Sequence, residues 1–347
     1  MKQALHRIAL RSFETKVVRK KGRKQMRKVK NFIYITMLAC LISIVLGCNS
    51  TSRNSALPFP KNPPETIYLY LSADTEGTLE SCNCQGGQMG GLPRQAQFFL
   101  DFRQSPSLLL DAGNTMFPIA NQQEYFKWYY ILQIYTQMGY DALNLGQYEV
   151  SLTSTQISDM VVKLNIPLVS CNVLEKSSQK PLVKPYLIKN VDGVKIGIIG
   201  LVEPKEQPGE GIFIANPHDA LSKYLPELVD KTHLIIVLSS LSLKSLNTIA
   251  QKFPQIDIIL NTGGTSTFLP QKMESVVVSS LSGKGRYLQQ LKFGFDSSKK
   301  LAWIEGANAP LDEKISKHEG TVFILEQYRN RLASQSLSLE GLENGID

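Results

Sequence analysis

From Thr66 onward the chain alternates short, wholly apolar runs with longer amphipathic stretches, and few folds satisfy that pattern. The runs at 67–71, 108–110, 142–145, 167–170, 194–199, 233–238 and 256–260 are dominated by Ile, Val and Leu. A strand wetted on one face alternates apolar and polar residues, whereas a nearly continuous apolar run is a strand covered on both faces. Between these runs, 122–138, 154–163, 217–229 and 243–253 have helical length and spacing. Such alternation predicts a layered α/β domain with a parallel or mixed sheet. After Gly264 the pattern turns β-like at 275–278, 287–295 and 301–304. A helical stretch at 311–332 follows, then a tail at 334–347 expected to fray. With 43% apolar and 20% charged residues among 347, the chain can bury a real core, which excludes disordered, collagen-like and coiled-coil classes.

The net charge of +8 suggests a nucleic-acid partner only until it is located. Residues 1–30 hold twelve Lys or Arg against one Glu, and 31–47 carry no charge, so the rest of the chain stands at −3. The body is not basic, and no nucleic acid is expected to bind it. A basic stretch, an apolar run and a small residue in that order form the layout of an export signal. Residues 1–47 are read as that signal, with Met26 opening a leader of conventional length. Val45-Leu46-Gly47-Cys48 resembles a lipobox, in which Cys48 takes lipid and becomes the mature N-terminus. The rival is an uncleaved anchor, but seventeen residues at 1.5 Å rise reach only about 26 Å. Either way the body is expected at the cell envelope, outside the cytoplasm and tethered to a membrane. Residues 48–65 are polar and carry four prolines, so they read as a spacer. The folded body is assigned to 66–300, with a C-terminal strand, helix and tail over 301–347. Cys82, Cys84 and Cys171 remain for an oxidising compartment, and a structural disulfide between two of them is expected. Redox chemistry or a soft metal at Cys82 and Cys84 are the alternatives.

Ligands of α/β sheets bind beyond the carboxyl ends of the strands. The loops there read Asp74-Thr75-Glu76-Gly77, Asp111-Ala112-Gly113-Asn114, Gly146-Gln147-Tyr148-Glu149, Ser239-Ser240 and Gly263-Gly264-Thr265-Ser266-Thr267. Together with Gly90-Gly91-Leu92-Pro93-Arg94, the segments 139–146 and 193–200, Asn172, Lys184-Pro185-Tyr186 and the segment 282–288, they carry a resemblance. Over about residues 66–297 the order and spacing resemble the metallophosphatase domain of bacterial 5′-nucleotidases, in the calcineurin-like phosphoesterase superfamily. The resemblance implies a single-domain, four-layer α/β/β/α sandwich. It also implies two divalent metals that clamp a phosphate and activate a water.

Carried over position by position, the family's first metal-binding Asp is Asp74, and its next ligand, a His, is Glu76. The bridging Asp becomes Asn114, the Asn ligand Gln147 and the catalytic His Tyr148. The His after the Val-Leu strand becomes Ser240, and the last loop supplies no His. A bridge between two doubly charged cations needs negative charge to offset their repulsion, and an amide brings none. The four His of the chain (His6, His218, His233 and His318) lie outside these loops. The expectation is a former site, now solvated or sealed by hydrogen bonds among these side chains, with no cofactor. The alternative is one hard cation, Mg²⁺, Ca²⁺ or Mn²⁺, on Asp74, Glu76, Asn114 and Gln147. Gly263, Gly264 and Thr265, with Lys284 and Arg286, form a candidate anion loop. The function expected is a tethered, non-catalytic binding or scaffolding protein, its partner an envelope protein or a small phosphate-containing ligand. A divergent metal-dependent phosphohydrolase acting on nucleotides or phosphate esters is the alternative, and a redox protein using Cys82 and Cys84 a third class.

Overall fold

The apolar runs are divided between two sheets stacked face to face. A computed structural model describes residues 57–84, 87–264 and 266–334. The leader, Cys48 and the tail beyond 334 lie outside these residues. In chain order the elements are β1 (Ile67–Ser72), β2 (Cys82–Cys84), β3 (Gly87–Met89), α1 (Leu92–Phe102), β4 (Ser107–Asp111), α2 (Gln122–Met138) and β5 (Ala142–Asn144). After a 3₁₀ turn at Glu149–Ser151 come α3 (Ser154–Leu164), β6 (Leu168–Val169), β7 (Val173–Glu175), β8 (Tyr186–Val191), β9 (Val194–Val202) and β10 (Ile212–Ile214). The last are α4 (Pro217–Lys231), β11 (Leu234–Ser240), α5 (Leu243–Lys252), β12 (Ile258–Thr262), β13 (Phe268–Met273), β14 (Val276–Leu281), β15 (Tyr287–Phe295), β16 (Leu301–Pro310) and α6 (Glu319–Ser334).

The first sheet has the order β16-β15-β1-β4-β5-β6 and the second β13-β14-β12-β11-β9-β8. Each is parallel at its centre and antiparallel towards an edge. Alternation within a strand divides the core into three slabs. Ile67, Leu69 and Leu71 of β1 meet Leu234, Ile236 and Leu238 of β11 between the sheets. Tyr70 points the other way, into a slab with Trp128, Ile131 and Tyr135 of α2 and Leu325 and Tyr328 of α6. Ile235 and Val237 pack beneath Leu221 and Leu228 of α4 and Leu246 and Ile249 of α5. The result is the four-layer α/β/β/α sandwich, and it explains why these strands show no polar alternation.

Local signals start and stop the helices. Thr153 and Gln156 form a reciprocal capping box on α3, and α2 starts on the Asn121 side chain and ends at Gly139 in the left-handed region. Helix α1 is absent from the sequence reading. Its Gly-Gly-Leu-Pro opening is a glycine turn followed by proline in the first helical turn, and its buried Leu92, Ala96 and Phe99 have helical spacing. The end of the chain also differs. Strand β16 runs to Pro310 and the helix starts only at Glu319. The segment 305–310 is poor in β-formers and is held by its nine-residue antiparallel pairing with β15. The division expected at residue 300 therefore falls inside a hairpin. Among the described residues no helix is long and apolar enough to cross a membrane.

Candidate functional site

The strand-end loops of both sheets converge, and side-chain hydrogen bonds join them. Asp74, after β1, is buried, and each of its carboxylate oxygens accepts an N–H: Asn114 Nδ2 donates to Oδ1 at 2.8 Å and Gly264 N to Oδ2 at 3.0 Å. Asn114 thus joins β4's loop to β1's, while Gly264 brings in the loop after β12. On its other side, Asn114 Oδ1 lies 3.5 Å from the Ser240 hydroxyl at the end of β11, and Thr262 donates to Ser240 at 3.2 Å. Gln147 turns its amide away from this centre and donates to the Glu203 carbonyl at 2.6 Å. Asn144 donates to the carbonyls of Ala112 and Leu201, one in each sheet.

The loop backbone is strained at these positions. Asp74, Glu76, Asn114 and Lys284 all have φ between 48° and 60°, in the left-handed region that side chains disfavour. Each costs roughly 1–3 kcal/mol and persists only where its surroundings over-determine it. Here the loops are zipped together, with Asp74 N bonded to Gly113 O, Glu76 N to Asn114 O and Gly77 N to Thr115 O. Glu149 anchors the arrangement; the sequence placed it in the loop after β5 but assigned it no role. It is buried, and its two oxygens accept from Asn114 N, Thr115 N, Thr115 Oγ1, Met116 N and Gly146 N at 2.6–3.1 Å. Its only sequence signal is an acid beside a tight glycine turn.

Electrostatics reinforce the picture of an enclosed, acid-rich floor. Burial raises the Asp74 carboxyl above the usual range, partly offset by its two donors. Burial and then the Asp74 charge raise Glu76, with Lys284 pulling the other way. Tyr148 is half-buried, and burial followed by the Glu76 and Asp74 charges keeps its phenol protonated. Beneath the floor, Asp111 is fully buried, and desolvation lifts its carboxyl to about 8 despite bonds from Ser72 and Gly113.

The candidate anion loop is largely self-satisfied. Gly263 N bonds to Leu281 O, Gly264 N to Asp74, Ser266 N to Gly263 O and the Ser282 hydroxyl to Gly264 O. Arg286 Nε donates to Gly283 O, and Lys284 lies in the field of Glu76; Thr265 is outside the described residues. The backbone N–H groups of Gly263, Gly264 and Ser266 are thus committed within the protein. His233 accepts from Lys195 N, His318 accepts from Thr321 N at the start of α6, and His218 lies against Phe253, all away from this cleft. Cys82 is disulfide-bonded, whereas Cys171 is a buried free thiol whose pKa desolvation raises. The Cys84 side chain lies outside the described residues.

The donor set does not fit a dinuclear metal centre. At the position where the resemblance implies a bridging acid, Asn114 is a neutral amide that donates to Asp74, and Ser240, where the resemblance implies a His, has no lone pair as strong as imidazole's. Among the described residues no group of three or more His, Cys, Asp or Glu is placed to hold a metal.

No protein-family model matches the chain. Among curated proteins it is 27% identical over 273 residues to the snake venom 5′-nucleotidase of Gloydius brevicauda, covering 69% of this chain and 46% of that one. It is 24% identical over 276 residues to the trifunctional nucleotide phosphoesterase YfkN of Bacillus subtilis, covering 65% of this chain and 18% of that protein. The crystal structure of a 5′-nucleotidase precursor from Thermus thermophilus matches with a TM-score of 0.66 at 23% identity, over 78% of this chain and 59% of that one. The fold is that of the 5′-nucleotidase metallophosphoesterases. The chain spans 46% of the venom enzyme's length and 18% of YfkN's.

Proposed function

We propose that this protein is a membrane-tethered, non-catalytic relative of the 5′-nucleotidases, whose strand-end cleft serves binding or scaffolding rather than phosphate-ester hydrolysis. The observation that carries the reading is the pair of N–H donors, from Asn114 and Gly264, on the carboxylate of Asp74. Each Asp74 oxygen keeps a lone pair beside its N–H, but the neutral Asn114 amide brings no charge to offset two cations, and its Nδ2–H, aimed at Asp74, would face a cation placed between them. Tethering rests on the basic leader, the uncharged run and Cys48.

The second reading, a divergent phosphohydrolase acting on nucleotides or phosphate esters, is favoured by the names of the relatives and by the strained, left-handed backbone at Asp74 and Asn114. The two separate cleanly. Protein purified after growth with Mn²⁺, Zn²⁺, Mg²⁺ and Ca²⁺ is expected to hold no stoichiometric transition metal by elemental mass spectrometry. It is also expected to turn over neither AMP nor an aryl phosphate. Two metals per chain with turnover would replace the first reading by the second. Incorporation of labelled palmitate, abolished by Cys48→Ala, is the expected result for the tether.

A further inference from the structure

Strand β16 ends the first sheet, and its outer edge is long and unguarded. It runs ten residues, Leu301–Pro310, as the terminal strand in the order β16-β15-β1-β4-β5-β6. Leu311 N donates to Arg286 O in the same register that sets Tyr287 against Pro310. Backbone groups alternate in direction along a strand, so Trp303, Glu305, Ala307 and Ala309 turn theirs to β15, and Ile304, Gly306 and Asn308 turn theirs outward. Among the described residues no hydrogen bond reaches the outward N–H and C=O groups of these three. Proteins blunt such an edge with lysines, a proline, a bulge or a covering loop. Here the proline, Pro310, stands at one end and the bulge beside Leu301 at the other. Between them the single charge, Glu305, is paired with Lys292 at 3.1 Å.

The occupant of such an edge is an extended chain, and a second copy of β16 matches it in charge and side-chain size. Identical strands pair antiparallel about a twofold axis, which must pass through an outward residue for the backbone bonds to meet. Gly306 is the middle of the three. With the axis there, Gly306 faces its own copy and Ile304 faces Asn308 of the second copy, each facing pair exchanging two bonds. Glu305 then stands opposite Ala307 of the second copy, not opposite another Glu305. Trp303, which rests on Gly294 and is 37% exposed, comes opposite the small Ala309. Beneath Gly306, Pro270 of β13 lies 2.9 Å from where a Cβ would stand, so the adjacent Leu269, 42% exposed, brings apolar surface to the axis. We propose that this protein forms a homodimer through antiparallel pairing of β16 centred on Gly306, joining two six-stranded sheets into one. The inference depends neither on the strand-end cleft nor on the lipid.

The intact protein in a zwitterionic detergent would be weighed across micromolar concentrations by light scattering that separates protein mass from detergent mass. A concentration-dependent dimer is expected. Residues 305 and 307 of facing strands form non-hydrogen-bonded pairs with Cα atoms about 4.5 Å apart, within reach of a disulfide. An equimolar mixture of Glu305→Cys and Ala307→Cys chains is therefore expected to crosslink on mild oxidation, and either variant alone far less. Ala307→Glu sets carboxylates opposite each other in two symmetric pairs and is expected to weaken the dimer about tenfold, whereas Ala307→Lys tightens it. Ala307 is exposed, so both variants keep the fold. A chain that stays monomeric, a dimer indifferent to both Ala307 variants, or equal crosslinking by the single variants would overturn the assignment. So would a monomeric chain that binds an unrelated extended peptide along this edge.

Discussion

Asn114 concentrates the chemistry of the cleft in one side chain. Its amide satisfies Asp74 where a carboxylate would oppose it, so Asn114→Asp would place two carboxylates in contact in a desolvated floor. The variant is expected to lose about 3 kcal/mol at pH 7 in urea unfolding, and less near pH 5, where one of the two takes a proton. Asp111 makes a separate prediction. Its folded carboxyl, raised to about 8, holds a proton that the unfolded chain releases near the ordinary value of 3.8. The native state binds the extra proton between these values, so this contribution is complete below about pH 4 and drains away as pH rises towards 8. Asp111→Asn, which cannot ionise, is expected to flatten the fall in denaturation midpoint from pH 5 to 8. An unchanged slope would assign the pH dependence to other groups.

At the scale of elements, the two sheets approach closely where β6 passes β9. A Cβ on Gly200 would lie 2.4 Å from Val169 O and 2.5 Å from Asn144 Oδ1, and Cys171 N bonds to Gly200 O at 2.8 Å. The obstacle is mostly backbone and cannot rotate away. Gly200→Ala is therefore expected to lose about 2–3 kcal/mol, read as a lower urea midpoint with an unchanged slope. Elements with strong, self-contained signals were legible in the residues. The stretch 122–138 coincides with α2, because its Asn121 cap and Gly139 stop are local devices. Helix α1 was hidden because its pattern follows a glycine–proline turn, and strand 305–310 because its reason for being extended lies in β15. The short strands β7 and β10 pair with each other across nearly forty residues, which no local window contains.

For the whole molecule, the residues by themselves determined the layered α/β class, because continuous apolar strands can exist only where both faces are covered. Through the family resemblance they also carried the expectation of a site without histidine or a bridging acid, since side-chain chemistry needs no coordinates to be read. Tertiary structure decided how these side chains are paired. That Asp74 is closed by Asn114 and Gly264, that Glu149 gathers five donors, and that the anion loop's N–H groups turn inward depend on loops brought together from as far as 190 positions apart. It also set Trp303 upon Gly294, through a strand register that no single-strand pattern encodes. Sequence specifies composition and local periodicity, whereas hydrogen-bond satisfaction is a property of neighbours in space, and only folding chooses those.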